Sequence, residues 1–459
     1  MAGMLDQLPA GPHRTILRGW AILAVTALAL AGFALIVPAA SKVPALENAL
    51  DWPDAFFQKG LVAHVALSFI VWFLAVLAIL AQTALRLPDR RDPALPGSLG
   101  LVLAVIGTLA IAGAPFLKGS EASLNNYIPS IIHPVYFAGL ALVAAGASLP
   151  VLTMLMRLTE PASDAETSQQ TRRVAHLSLG LLFVAALAAI ALAAHQLGEW
   201  PTEYAIIERL FWGGGHLLQF VNVALLLIAI DRLGRQAFNN ASPLGEAATK
   251  WAPGALFLAG AAGLSIYGLT DIRSDAHIKA FTDLQYAFAV PVGIAVLGAL
   301  MQKRRWRMAQ GKIEITSLIA ATLVFLLGCA LGLFVDGADT RTPAHYHGVI
   351  GGINIAFYGL FYTQFLPILG RSLAKQRLAI IQIILYAVGQ SLFVAGLFLA
   401  GGMGAGRKTM GAGLDLNATT RAILGVRDFG LAIAVLSTAG FIVAMLIVLI
   451  RQPKNQAKI

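Results

Sequence analysis

Nine histidines give this 459-residue chain most of its capacity for chemistry. A neutral imidazole offers one nitrogen lone pair to an iron or other metal. Its other N–H can fix the ring's orientation. The tightest grouping is Ala344-His345-Tyr346-His347. Residues two apart on an α-helix lie about 200° apart around its axis. The two imidazoles are therefore expected on opposite flanks of one helix. That suits a helix with a cofactor on each side better than a single mononuclear metal. His64 is a candidate second axial ligand for one such cofactor, giving a six-coordinate haem suited to electron transfer. The other haem would keep an open face for a small molecule.

A second grouping is Phe211-Trp212-Gly213-Gly214-Gly215-His216-Leu217-Leu218-Gln219. Three glycines thin the helix before His216, so a flat cofactor can approach closely. Ordinary small-residue helix packing explains the same run. Gln219 lies one turn beyond His216 and is a candidate second polar group. Glu208, two turns before, is either a proton donor or an interfacial carboxylate paired with Arg209. His133, His195 and His277 fall in the same layer as these residues, and His13 and His176 do not. His133 precedes Pro134 and reads as a helix start. His176 reads as interfacial and His13 as an inert tail residue.

The elements that position these side chains are membrane spans. Hydrophobic residues make up 58% of the chain and charged residues 12%, against about 25% charged in soluble domains. A span needs about 20 apolar residues. Twelve such stretches occur, at roughly 16–40, 57–84, 96–116, 129–156, 175–197, 207–230, 251–270, 282–302, 314–335, 344–369, 377–400 and 428–450. No remaining stretch has the composition or length of a soluble domain. The fold class is an all-α polytopic bundle forming one integral membrane domain over 1–459. Cys329 is the only cysteine, which excludes a disulfide framework, a thiolate zinc site and an iron–sulfur cluster.

The net charge of +10 is topological. Of 33 basic residues, 22 lie in the termini and in the loops after even-numbered spans, with the densest run at Lys303, Arg304, Arg305 and Arg307. The positive-inside rule then makes both termini cytoplasmic. It removes nucleic acid as a partner and leaves membrane lipid. The first span is too long for a signal peptide and reads as retained. His64, His133, His195, His216, His277, His345 and His347 all fall in or near the outer third of the membrane. Polar groups at that depth are costly, so a layer of them favours a metal or haem site over isolated helix–helix hydrogen bonds.

The pattern resembles subunit I of the haem-copper oxidase superfamily, which holds cytochrome c oxidases, quinol oxidases and nitric oxide reductases. His345-Tyr346-His347 is similar to its span-10 His-aromatic-His signature. Leu210-Phe211-Trp212 leading to His216 is similar to its span-6 stretch. Ala289-Val290-Pro291-Val292-Gly293-Ile294 resembles its Val-Pro-Thr-Gly-Ile run, and Gly402-Met403-Gly404-Ala405-Gly406-Arg407-Lys408 its Gly-Met-Pro-Arg-Arg loop. The resemblance implies that His64 and His347 ligate a low-spin haem and His345 a high-spin haem. It implies that His216 faces a second metal, copper or non-haem iron, and that Arg407 and Lys408 pair with haem propionates.

The departures from the family are as specific as the matches. The adjacent His-His pair of span 7 is replaced by Ile266-Tyr267. The tyrosine four residues after the span-6 histidine is replaced by Phe220, with Tyr267 a spatial stand-in. A copper site normally needs several imidazoles. His277, His195 and His133 are candidate replacements, or else outer-surface or propionate contacts.

The implied function is a respiratory catalytic subunit in the cytoplasmic membrane of a prokaryote. It would pass electrons from the low-spin haem to a high-spin haem that reduces oxygen or nitric oxide. The alternative is a non-catalytic haem protein, such as a gas sensor, electron carrier or assembly partner, with a lost second-metal site. No Cys-x-x-Cys-His motif is present, so the electron donor would be a separate cytochrome c-type or cupredoxin protein or subunit.

Overall fold

The computed structural model describes residues 8, 11–40, 54–84, 94–158, 167–335, 339–373, 375–406 and 417–451. Among the described residues, twelve helices are long and apolar enough to cross a membrane. They are α1 Pro12–Leu35, α2 Phe56–Thr83, α3 Ala94–Phe116, α4 Pro134–Leu158, α5 Thr167–Leu197 and α6 Tyr204–Ala237. The series continues with α7 Glu246–Leu269, α8 Asp275–Met301, α9 Lys312–Gly332, α10 Arg341–Ile368, α11 Gln376–Gly402 and α12 Ala418–Ile450. Helices are required because lipid offers no partners to backbone N–H and C=O groups. Leu95, Met156, Leu258, Met301 and Leu436 are largely exposed, as lipid-facing side chains should be.

Contacts group the chain into two compact units. One comprises Leu8–Ile228 and Leu244–Lys303 and holds α1 to α5, most of α6, α7 and α8. Within it α3 and α4 meet at glycines. A Cβ on Gly100 would stand 2.5 Å from the carbonyl oxygen of Gly146, and one on Gly107 2.6 Å from that of Gly139. Small residues at this spacing let two backbones touch. Between α3 and α4 runs a hairpin, β1 Glu121–Ser123 paired antiparallel with β2 Ser130–Ile132. The hairpin fixes both ends of the loop that carries Tyr127. Helix α2 contains a π-helical stretch, Ala66–Val71, that begins two residues after His64. Such stretches recur at functional sites.

The other unit comprises Ala229–Pro243 and Arg304–Ile459 and holds the end of α6 with α9 to α12. The α9 and α10 backbones meet at Gly328 and Gly348, where a Cβ on Gly348 would stand 2.5 Å from Gly328 Cα. Polar side chains tie α10 to its neighbours. Gln390 Nε2 donates to the His347 carbonyl at 2.7 Å, and the Tyr362 hydroxyl donates to Gln382 Oε1 at 3.2 Å.

Candidate functional site

In the unit of α9 to α12, His345 and His347 lie on opposite flanks of α10, as their spacing requires. His345 Nδ1 is 2.8 Å from the Gly328 carbonyl of α9. A carbonyl only accepts, so Nδ1 carries the proton and Nε2 keeps its lone pair. Gly332 makes room for this ring, since a Cβ there would stand 2.6 Å from His345 Nδ1. His347 instead packs against α11, with its ring centroid 5.1 Å from that of Phe393.

In the other unit, His64 repeats the His345 arrangement. Its Nδ1 is 3.0 Å from the Ala31 carbonyl of α1, so its Nε2 also keeps the lone pair. Donation of the second ring nitrogen's proton to a backbone carbonyl is how iron-ligating histidines are held. His64 and His345 therefore fit a haem iron.

His216 is bound differently. It is fully buried. Its Nδ1 is 2.7 Å from the Trp212 carbonyl and its Nε2 is 2.8 Å from the Tyr127 hydroxyl. The Trp212 carbonyl fixes the proton on Nδ1, so Nε2 accepts from the phenol. Gln285 Nε2 donates to the same phenol oxygen at 2.6 Å. The result is a one-way chain from Gln285 through Tyr127 to His216. Burial raises the Tyr127 pKa well above the usual phenol value; the Gln285 bond acts the other way, and the Glu208 charge adds to the rise.

The site corrects several expectations. Glu208 neither pairs with Arg209 nor points free as a proton donor. Its carboxylate accepts from Asn126 N at 2.8 Å and from Asn126 Nδ2 at 2.5 Å. Arg209 donates instead to the Ile272 and Ser274 carbonyls and pairs with Asp275 at 3.4 Å. This carboxylate clamp holds the loop in which Tyr127 takes φ 59°, a left-handed conformation unfavourable for a side chain of its size.

Tyr267 does not stand in beside His216, because Tyr127 occupies that place. The Tyr267 hydroxyl is buried and has no hydrogen-bond partner. The three glycines admit side chains rather than a flat cofactor. Gly213 faces Tyr267 and Phe281, Gly214 faces Ile190 and Gly215 faces Tyr127.

Gln219 is not bonded to His216. It lines a small recess with Asn222, Tyr127, Phe69 and Phe73.

His277 is fully buried rather than at the surface. Its Nδ1 is 2.9 Å from Thr270 Oγ1, whose own proton goes to the Ile266 carbonyl at 2.8 Å. Nδ1 therefore donates, and Nε2 is left bare and unpartnered. His195 is exposed. His133 Nδ1 accepts from Val135 N at 3.2 Å, so it serves the start of α4. Arg407 and Lys408 lie outside the described residues.

These side chains do not fit a second metal. His216 has no free lone pair, and among the described residues no group of three His, Cys, Asp or Glu side chains could hold an ion.

The arrangement can be set beside known proteins. The family model of cytochrome c and quinol oxidase polypeptide I matches residues 15–442. The chain belongs to this family. The oxidase polypeptide I family typically binds haems, which agrees with the ligand-ready geometry of His64 and His345. An uncharacterized protein of Aquifex aeolicus is 30% identical over 352 residues, covering 75% of this chain and 83% of that protein. An uncharacterized protein of Rickettsia prowazekii is 25% identical over 505 residues, covering 94% of this chain and 95% of that protein. The structure of a haem-copper terminal oxidase dimer matches with a TM-score of 0.77 at 15% identity, over 98% of this chain and 86% of that one. That likeness establishes the oxidase fold.

Proposed function

We propose that this oxidase-family protein holds haem in the membrane, transfers electrons and binds a small diatomic gas, oxygen or nitric oxide. In place of a second metal it would use the Tyr127–His216 pair. The observation that carries the proposal is the shared state of His64 and His345. Each has Nδ1 on a backbone carbonyl, at 3.0 Å and 2.8 Å, and a bare Nε2. His64 would hold one haem iron and His345 another, with His347 a further axial ligand by the family pattern.

Bound haem supplies electron transfer and an iron that takes the gas. The protein's own groups do the rest. The Ala31 and Gly328 carbonyls orient the two imidazoles. Tyr127 holds a proton at its hydroxyl, aimed at His216 Nε2. Trp212 fixes the other His216 proton, so Nε2 is the one ring atom able to receive it. A cytochrome c-type or cupredoxin donor on the outer face would supply electrons.

A second reading is catalytic reduction of the bound gas, which the match to the oxidase polypeptide I family over residues 15–442 favours.

Reduced-minus-oxidised and carbon monoxide difference spectra of the purified protein test the main reading. Two haems per chain, one of them binding carbon monoxide, are expected. A protein without a Soret band would overturn it. Steady consumption of oxygen or nitric oxide would favour the second reading.

A further inference from the structure

We propose that the recess between α2 and α6 holds one ordered water molecule on the side-chain amides of Gln219 and Asn222. Both residues line it, as does Gly215. The three are positions i, i+4 and i+7 of α6, which share one helix face, so both amides are turned toward the recess.

Asn222 is 6% exposed, yet neither amide has a hydrogen-bond partner among the described residues. A primary amide carries two N–H donors and an acceptor oxygen. Lipid cannot satisfy them, and an amide kept from water without a partner is costly. Buried polar groups that no protein group satisfies are where bound water is found.

The rest of the wall sets the size and charge of the occupant. Helix α2 contributes Phe69 and Ile70 from its π-helical stretch and Phe73 one turn later, and α6 adds Leu218. Tyr127 closes the recess at Gly215, where a Cβ would stand 2.5 Å from the tyrosine Cβ. No charged side chain is among the described lining residues, so an ion finds no counterion. The recess measures about 20 Å³, and a water needs roughly 10–15 Å³. An apolar gas would leave both amides unpaired, whereas water donates to an amide oxygen and accepts from an amide N–H. The water sits between the helix that carries His64 and the helix that carries His216.

The test is X-ray radiolytic footprinting of the full chain in nanodiscs. A brief pulse splits bound water into hydroxyl radicals, which oxidise the side chains beside it, and mass spectrometry locates the product. Phe73 lines the recess and is 2% exposed; Phe183 is 0% exposed and does not line it. Phe73 should be oxidised and Phe183 spared. In Asn222→Leu, which keeps the side chain's approximate size without its amide, Phe73 oxidation should fall to the Phe183 level. Equal oxidation of the two phenylalanines in the wild type, or unchanged oxidation of Phe73 in the variant, would overturn the proposal. No haem signal is read, so the result is independent of the functional reading above.

Should the variant fail to fold, a cryo-electron microscopy map of the wild type, at a resolution that shows ordered water, decides the matter. A single density within hydrogen-bond distance of both amides supports the site. An empty recess, an acyl chain within it, or amides paired with protein groups would overturn it.

Discussion

The Tyr127 hydroxyl stands 2.8 Å from His216 Nε2 and donates to it. Tyr127 comes from a loop 89 residues earlier in the chain. This contact takes the one lone pair that His216 could give to a metal, because Nδ1 is committed to the Trp212 carbonyl.

Tyr127→Phe removes the donor to His216 and the acceptor of Gln285. Leaving such buried groups unsatisfied costs about 1–3 kcal/mol. Thermal unfolding of the variant should show a lower midpoint at unchanged haem content. An unchanged midpoint would mean that the pair carries no stability.

Glu208→Ala should loosen the loop. The carboxylate makes both hydrogen bonds to Asn126, and they oppose the cost of a left-handed tyrosine, about 1–2 kcal/mol. Amide hydrogen exchange over the hairpin Glu121–Ile132 should accelerate. Glu208→Gln retains one acceptor oxygen and should show a smaller effect.

Gly332→Ala tests the seat of His345. The added Cβ would stand 2.6 Å from Nδ1, so the ring must leave its Gly328 hydrogen bond. The carbon monoxide difference spectrum should weaken, while the signal of the haem assigned to His64 persists. His345→Ala should abolish the carbon monoxide signal, and His64→Ala should remove the other haem.

The raised pKa of Tyr127 carries a sign. A group whose folded-state pKa lies above its unfolded value stabilises the fold at pH below the unfolded value, about 10 for tyrosine. That stability is lost as pH rises through the folded value. Comparing ultraviolet titrations of the wild type and Tyr127→Phe should therefore show that the phenol removed is one that resists ionisation where ordinary phenols titrate. In Tyr127→Phe the normal titration should be unchanged, and the alkaline loss of stability attributable to this residue should disappear.

The spans were legible because hydropathy over 20 residues is a strong signal, but their ends depend on caps. Helix α12 begins at Ala418 rather than 428 because the Asn417 side chain accepts from Thr420 N at 2.9 Å. The ion pair Arg427–Asp428, at 2.8 Å, is carried within the helix. Helix α8 begins at Asp275 rather than 282 because Ser274 caps it.

The opposite flanks of His345 and His347 followed from helical geometry alone. Tyr127 did not follow, because its contact with His216 rests on a hairpin, a left-handed backbone and a carboxylate clamp, none of which has a period. The available signal was chemical: three glycines before His216 require occupants, and Asn125-Asn126-Tyr127 was the polar loop facing the same layer.

The most direct test of the central claim is metal analysis of the purified protein after dialysis against a chelator, with haem iron subtracted. The closed state of His216 predicts no stoichiometric copper or non-haem iron beside the haems. One such ion per chain, lost in His216→Ala, would contradict it.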